Sequence, residues 1–209
     1  MNRRDAIGRV AVLMGGAVIG AEFFLSGCKP GGSSASNVAD LFMQDNVAFL
    51  NEVADTILPT TSSPGAKAAK VGEFMGVMVR DCYTEADQKT FIDGIGKLND
   101  AANKKSGSKF MDLTPAQRTA LLVDLDKEQK EFTSTRDKDL AVDREKHKGD
   151  KAYEAPALPK HYFRMMKELT LLGYFTSEIG ATKALRYIAV PGHYDGDVPY
   201  KKGDKAWAT

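Results

Sequence analysis

Apolar residues recur at intervals of three and four positions over most of this chain, and this spacing constrains its fold more than any other feature. Six residues from Val71 to Cys82 follow the order i, i+3, i+4, i+7, i+8 and i+11, which is one face of an α-helix. A second stripe runs from Val38 to Ile57 and stops before Pro59, a residue that ends helices. The spacing predicts an all-α domain, a small bundle of about five to seven helices around one core.

Two further helices are indicated by capping motifs. Thr84 precedes Glu85 and Asp87, so its hydroxyl can accept hydrogen bonds from free backbone N–H groups while the acids favour the positive end of the helix dipole. Thr114-Pro115-Ala116-Gln117 is a capping box with proline at the first helical position. We expect the inner faces of these helices to contain Phe91, Ile95, Leu98, Leu121, Leu122, Leu125 and Phe132.

Residues 133–155 differ in composition from the helices before them. Twelve of these 23 residues are charged, with both signs mixed, and few are strongly apolar. This composition predicts an exposed helical extension or a mobile insertion, with a partner-docking arm as the alternative.

The C-terminal third is the most aromatic part of the chain. Large apolar residues cover a predicted helix from Tyr162 to Phe175 nearly all round, so it is buried at the bundle centre or partly under another protein. After a last short helical piece to Leu185, residues 186–207 interleave turn formers with aromatic side chains. We expect this irregular C-terminal tail to lie pinned across a surface, either of its own bundle or of a partner.

The first 28 residues have the pattern of an export signal. The uncharged stretch from Val10 to Ala21 is about 18 Å long as a helix, too short for the roughly 30 Å hydrocarbon layer of a membrane. Arg3 and Arg4 resemble the twin-arginine signal, with the general secretory route as the alternative.

The end of this segment predicts a lipid anchor. Leu25-Ser26-Gly27-Cys28 resembles a bacterial lipobox, in which Cys28 becomes the lipidated first residue; an ordinary small-residue cleavage site is the alternative. Residues 29–37, rich in Gly and Ser, then form a flexible tether, and residues 38–209 form the helical domain.

The mature composition excludes some classes of protein. Removing residues 1–28 takes three Arg and two acids from totals of 29 and 28, and the 26 basic and 26 acidic residues that remain do not favour nucleic-acid binding. With Cys28 lipidated, Cys82 is the only thiol, so an intrachain disulfide is excluded. We interpret Cys82 as a small buried hydrophobe, with an intersubunit thiol in the oxidising periplasm as the alternative.

The sequence contains no recognisable catalytic or redox constellation. It has no Gly-x-Gly-x-x-Gly between a strand and a helix, no Cys-x-x-Cys-His for haem and no cysteine pair for zinc or iron–sulfur clusters. His193 with Asp195 and Asp197 lacks the ligand count of a calcium loop. We expect no catalytic, cofactor-binding or metal-binding residue in this chain.

Several short segments match the pattern of one known family. The most specific stretch is residues 167–178, followed by Gly180-Ala181-Thr182, Ala184-Leu185-Arg186-Tyr187, Pro191-Gly192-His193-Tyr194-Asp195-Gly196 and Pro199-Tyr200. Nearer the start, the matching segments are residues 54–59, Ser63-Pro64-Gly65-Ala66 and Asp81-Cys82-Tyr83. With these segments, essentially the whole mature chain resembles the gluconate 2-dehydrogenase subunit 3 family.

The resemblance implies a division of labour between subunits. A large subunit holds FAD and oxidises a sugar or sugar acid, and a cytochrome c subunit or another acceptor takes the electrons. The small subunit escorts the folded large subunit through the twin-arginine pathway and stays bound. The chain would then be a non-catalytic, periplasmic subunit without a cofactor of its own, lipid-anchored to the membrane, although the lipobox departs from the family pattern.

The resemblance and the aromatic C-terminal third together predict a docking surface between Tyr162 and Trp207, because aromatic and Arg side chains dominate binding energy. The predicted contact residues are Phe163, Lys167, Tyr174, Phe175, Arg186, Tyr187, Pro191, Tyr194, Tyr200 and Trp207. The alternatives are an independent ligand-binding periplasmic lipoprotein and a stand-alone enzyme, for which no nucleophile and base pair is evident.

Overall fold

The structure is a computed structural model, and it describes residues 37–190, 192–193 and 195–208. The predicted export signal, Cys28 and residues 29–36 of the tether lie outside the described residues. The all-α prediction is confirmed. The described α-helices are α1 (Gln44–Ile57), α2 (Val71–Cys82), α3 (Glu85–Ser106), α4 (Pro115–Lys146) and α5 (Tyr162–Phe175), with 3-10 helices at Val38–Phe42 and Phe110–Asp112 and a π-helical turn at Gly180–Ala184.

The apolar stripe from Val38 to Ile57 is divided between two elements. Asn37 and Asp40 form a capping box that begins the 3-10 helix, with the Asn37 N–H donating to the Asp40 carboxylate at 3.0 Å. The chain is extended at Met43, which has φ −65° and ψ 140°, and α1 begins after it. Met43 therefore separates the 3-10 helix from α1, where the spacing alone predicts one continuous helix.

Close approach of helix backbones builds the core. A Cβ at Gly72 of α2 would lie 2.7 Å from the carbonyl oxygen of Val47, so only glycine allows α2 to pack this closely on α1. Asn51 of α1 accepts from the Gly72 N–H at 2.8 Å and donates to Glu73 at 2.9 Å. These bonds satisfy the polar groups at the start of α2.

Both predicted capping motifs begin helices. Thr84 accepts from the N–H of Asp87 at 3.3 Å. Thr114 and Gln117 form the reciprocal capping box, with the Thr114 N–H donating to the Gln117 side chain at 2.9 Å. The predicted inner residues of α3 and α4 are buried except Phe132, which is 38% exposed because α4 has begun to leave the bundle there.

The charged stretch continues α4 as far as Lys146, and most of its side chains are exposed. The chain then turns back beside it. The ring of Tyr153 stacks on His147 at 4.4 Å, and the Tyr153 hydroxyl donates to Asp143. Arg136 donates to the carbonyl of Pro159 at 3.3 Å, which ties the returning segment to the helix.

The interpretation of Cys82 as a small buried hydrophobe is wrong. Its side chain is exposed, whereas Val79 three residues earlier is fully buried. The reason is that α2 ends at Cys82 and the chain turns at once into the cap of α3 at Thr84. The last position of the apolar stripe therefore lies beyond the core.

Candidate partner interface

The C-terminal tail closes on itself at Arg186 and Trp207. The Arg186 N–H donates to the carbonyl of Ala206 and the Ala208 N–H donates to the carbonyl of Arg186, both at 2.8 Å. The guanidinium of Arg186 lies 4.8 Å from the centre of the Trp207 ring and 3.5 Å from the carboxylate of Asp204. We call Arg186, Asp204 and Trp207 the clasp, because they join the two ends of the loop 187–203.

Two further bonds support the clasp. The ammonium of Lys205 donates to the carbonyl of Lys183, and the carboxylate of Asp204 accepts from the Lys201 N–H at 3.0 Å. The cation–π contact and the ion pair of Arg186 are partly exposed, and each contributes about 1 kcal/mol or less. Together these contacts hold the two ends of the loop next to each other.

The loop exposes large apolar side chains to solvent. Val190 is 82% exposed and Tyr200 is 78% exposed, and the described loop residues lie outside the core. Of the two surfaces that the sequence left open, the bundle itself does not cover this tail. The exposed apolar residues of the loop are Tyr187, Ile188, Val190, Val198 and Tyr200.

The end of α5 adds a second exposed apolar group. Leu171, Leu172 and Phe175 are between 38% and 45% exposed. Phe175 lies four residues after Leu171 and three after Leu172, so it neighbours both on the helix surface. The opposite side of α5 is closed, because a Cβ at Gly173 would lie 2.5 Å from the ring of Phe74. We call these three residues, the exposed apolar residues of the loop and Trp207 the C-terminal surface.

A tight turn joins the two parts of this surface. The Ser177 hydroxyl donates to the carbonyl of Tyr174 at 2.6 Å and accepts from the Gly180 N–H at 3.0 Å. A Cβ at Gly180 would lie 1.8 Å from that same carbonyl oxygen, so the turn requires glycine. The sequence Ser177-Glu178-Ile179-Gly180 thus sets where the loop leaves α5.

Two of the predicted contact residues belong to the core. Phe163 is 2% exposed and Tyr174 is 4% exposed, and the Tyr174 hydroxyl donates to the carbonyl of Pro64 at 2.6 Å. The chain's own helices enclose both side chains, so neither presents a surface to a partner. Phe163 and Tyr174 are therefore residues of the core, not contact residues for a partner.

The other predicted residues are placed as follows. Lys167 is partly exposed and bonds to Asp126 at 2.5 Å, where Lys130 and then Lys167 lower the pKa of Asp126 to about 2. Phe175, Arg186, Tyr187, Tyr200 and Trp207 all lie on the C-terminal surface or the clasp. Pro191 and Tyr194 are outside the described residues.

Sequence reasoning missed the aliphatic residues of the loop. Ile188, Val190 and Val198 lie among turn formers, where a side chain has little secondary structure to bury it. Their position in a turn-rich segment could have indicated their exposure, because an aliphatic residue in such a segment rarely packs into the core. The predicted contact residues are aromatic except Lys167, Arg186 and Pro191, and none of them is an aliphatic residue of the Ile, Leu or Val type.

The described part of the chain contains neither a membrane-spanning helix nor a cluster of metal ligands. None of its helices is long and apolar enough to cross a bilayer, and nowhere in it do three or more His, Cys, Asp or Glu side chains group as metal ligands. A surface groove of about 420 Å³ lies between α4 and α5. Several charged groups that line it are already paired, Lys130 and Lys167 with Asp126 and Arg164 with Glu168.

Comparison with known proteins identifies the family. Residues 44–192 match the family model described as gluconate 2-dehydrogenase subunit 3, which is more than half of the chain. No curated protein and no solved structure was found to match. The matched residues span α1 to α5, the π-helical turn and the first part of the loop. The chain therefore belongs to the gluconate 2-dehydrogenase subunit 3 family, whose members are accessory subunits of multi-subunit dehydrogenases.

Proposed function

We propose that this chain is the non-catalytic small subunit of a periplasmic FAD-dependent sugar or sugar-acid dehydrogenase and that its C-terminal surface binds the large FAD-containing subunit. One observation carries the proposal, the closed loop whose apolar side chains are 41% to 82% exposed. A subunit of a complex has a partner to cover such side chains, which are costly to leave in water.

The clasp makes the loop suited to permanent binding. Ordering a flexible side chain at an interface costs about 0.5–1.5 kcal/mol, and a loop fixed at both ends has less freedom to lose. Exposed Tyr and Trp side chains, such as Tyr187, Tyr200 and Trp207, are the residue types that most often dominate binding energy. The loop therefore offers affinity at low entropic cost.

The role in export and anchoring is part of the same proposal. The Arg3-Arg4 signal directs the folded pair of subunits through the twin-arginine pathway, and lipidated Cys28 holds the complex at the periplasmic face of a membrane. FAD belongs to the large subunit, and the electrons leave to a cytochrome c subunit or another acceptor. The chain itself stabilises and positions the flavoprotein.

The first test is recovery of the protein from native membranes with an antibody, followed by a flavin absorption spectrum of the sample. We expect a large FAD-containing protein in about equal amount. A colourless monomer would instead favour the ligand-binding lipoprotein and overturn the proposal.

The second test locates the interface. We expect the double variant Val190→Ser, Tyr200→Ser to weaken association with the flavoprotein about tenfold or more, because both residues are on the loop. Val142→Ser is the matched control, since Val142 is 56% exposed but lies on the α4 extension. Equal association of the two variants would contradict the assignment of the surface.

A further inference from the structure

A separate group of exposed apolar side chains lies where the described chain begins. Phe42 is 40% exposed, Met43 is 57% exposed and Val77 of α2 is 41% exposed. We call these three residues the entry patch. The proposed docking of the flavoprotein through the C-terminal surface does not use them.

The patch is held firmly against α2. The ring of Phe42 lies 3.3 Å from the position that a Cβ at Gly76 would occupy, so the ring rests on the helix backbone. The guanidinium of Arg80, one turn later, lies 5.0 Å from the centre of the same ring and pairs with Asp81 at 2.6 Å. Val77 follows Gly76 directly along α2 and is also exposed.

The tether sets how far this patch can be from a lipid anchor. Eight residues separate Cys28 from Asn37, so nine Cα–Cα steps join them, and Asn37 is fixed by its capping box with Asp40. Nine such steps reach at most about 30 Å when fully extended. The patch begins five residues after Asn37, so an acyl chain on Cys28 keeps it close to the bilayer surface.

We propose that the entry patch rests on the lipid surface beside the anchor, so that the domain is held in one orientation and does not swing freely on its tether. The inference rests on the proposed function at one point, the lipidation of Cys28. Apolar side chains at the boundary between headgroups and acyl chains supply a second membrane contact beside the acylated cysteine, and anchors with two signals bind more stably than those with one.

The charges around the patch define the lipid chemistry. The exposed Asp45 follows Met43 closely, and the charge of Arg80 is balanced by Asp81. The patch therefore offers no excess of positive charge to anionic headgroups. We expect an apolar contact that forms on zwitterionic lipid and depends little on salt.

The test uses the mature protein, purified from its own membrane and placed in phosphatidylcholine vesicles. A bimane label is placed at Met43→Cys in a Cys82→Ser background, and quenching by lipids with brominated acyl chains is measured. The control is the same label at Val142→Cys, another exposed position, 56% against 57%. We expect quenching at position 43 to exceed that at position 142 several-fold.

The possible outcomes separate this inference from the proposed function. Equal quenching at both positions in protein that stays with the vesicles overturns the patch alone. Release of the protein from the vesicles, as expected for the Cys28→Ser variant, would show that the anchor is missing and overturn both the anchor and the patch. Shielding of position 43 by added flavoprotein without lipid quenching would assign the patch to that partner and overturn the inference.

Discussion

Arg118 is the residue on which three parts of the molecule depend. Its guanidinium pairs with Glu52 of α1 and donates to the carbonyls of Phe110 and Met111 at 3.1 and 2.6 Å. The side chain is only 12% exposed. Burial by itself would raise the pKa of Glu52, but Lys67 and Arg118 outweigh it and hold that pKa below its ordinary value of 4.5.

Replacing Arg118 should therefore be costly. We expect Arg118→Met to lower the free energy of unfolding by about 2 kcal/mol. The variant leaves Glu52 paired with only one cation, and it removes the hydrogen-bond donor of two backbone carbonyls. Urea denaturation of the mature domain measures this loss. Arg164→Met, which removes an exposed pair with Glu168, is the control and should cost less than about 0.5 kcal/mol.

The pH dependence of the protein's stability gives an independent check of this prediction. The pKa of Glu52 is lower in the folded protein than in the unfolded chain, so its stabilisation is complete at neutral pH and is lost as the pH falls through the folded value. The difference in the free energy of unfolding between wild type and Arg118→Met should therefore become smaller at acid pH. A difference that stays constant down to the acid transition would show that Arg118 acts through packing and not through Glu52.

At the scale of elements, two glycines of α3 provide a matched pair. A Cβ at Gly94 would lie 2.5 Å from the Cβ of Tyr162, at the contact between α3 and α5. A Cβ at Gly96, two residues later, would meet nothing within 4 Å. One glycine therefore permits helix packing, while the other only adds flexibility to a helix.

The two alanine variants should have opposite effects. We expect Gly94→Ala to destabilise the protein by about 1–3 kcal/mol through overpacking, and Gly96→Ala to stabilise it by about 0.5–1 kcal/mol through helix propensity. Thermal unfolding followed by circular dichroism distinguishes them. A stabilised Gly94→Ala variant would mean that α3 and α5 are further apart than described.

The elements also show what the sequence could predict. Thr84 and Thr114 are predicted as helix starts because each cap needs only residues within one turn. The break at Met43 was missed, although Asn37 and Asp40 form a local capping signal, because the apolar spacing continues across it. The exposure of Cys82 depends on where α2 ends against its neighbours, which spacing along one helix does not contain.

At the scale of the whole molecule, stability should be uneven along the chain. The first half of α4 buries Leu121, Leu122 and Leu125, whereas its extension has mostly exposed side chains. We expect backbone amides of residues 138–146 to exchange with solvent at least about 100-fold faster than those of residues 118–128, because local opening costs little where few apolar contacts are lost. Hydrogen exchange measures both segments in one experiment, and equal protection would indicate that the extension is packed.

The residues exposed on the C-terminal surface could be predicted from the sequence only in part, because their exposure depends on the whole fold. Residue type selected Tyr187, Tyr200 and Trp207, which are exposed, but it also selected Phe163 and Tyr174, which are buried. Core and interface use the same apolar residues, and only the arrangement of all the helices decides which of them another protein can reach.

The clasp gives the protein an optical property of its own. Trp207 is the only tryptophan of the chain, it is 46% exposed, and it lies under the charged guanidinium of Arg186. The fluorescence of Trp207 arises at the proposed contact with a flavoprotein, and flavins absorb light at the wavelengths at which tryptophan emits. Binding of the large subunit should therefore quench the intrinsic fluorescence of this chain. The rates of assembly and dissociation can then be measured in solution without any attached dye.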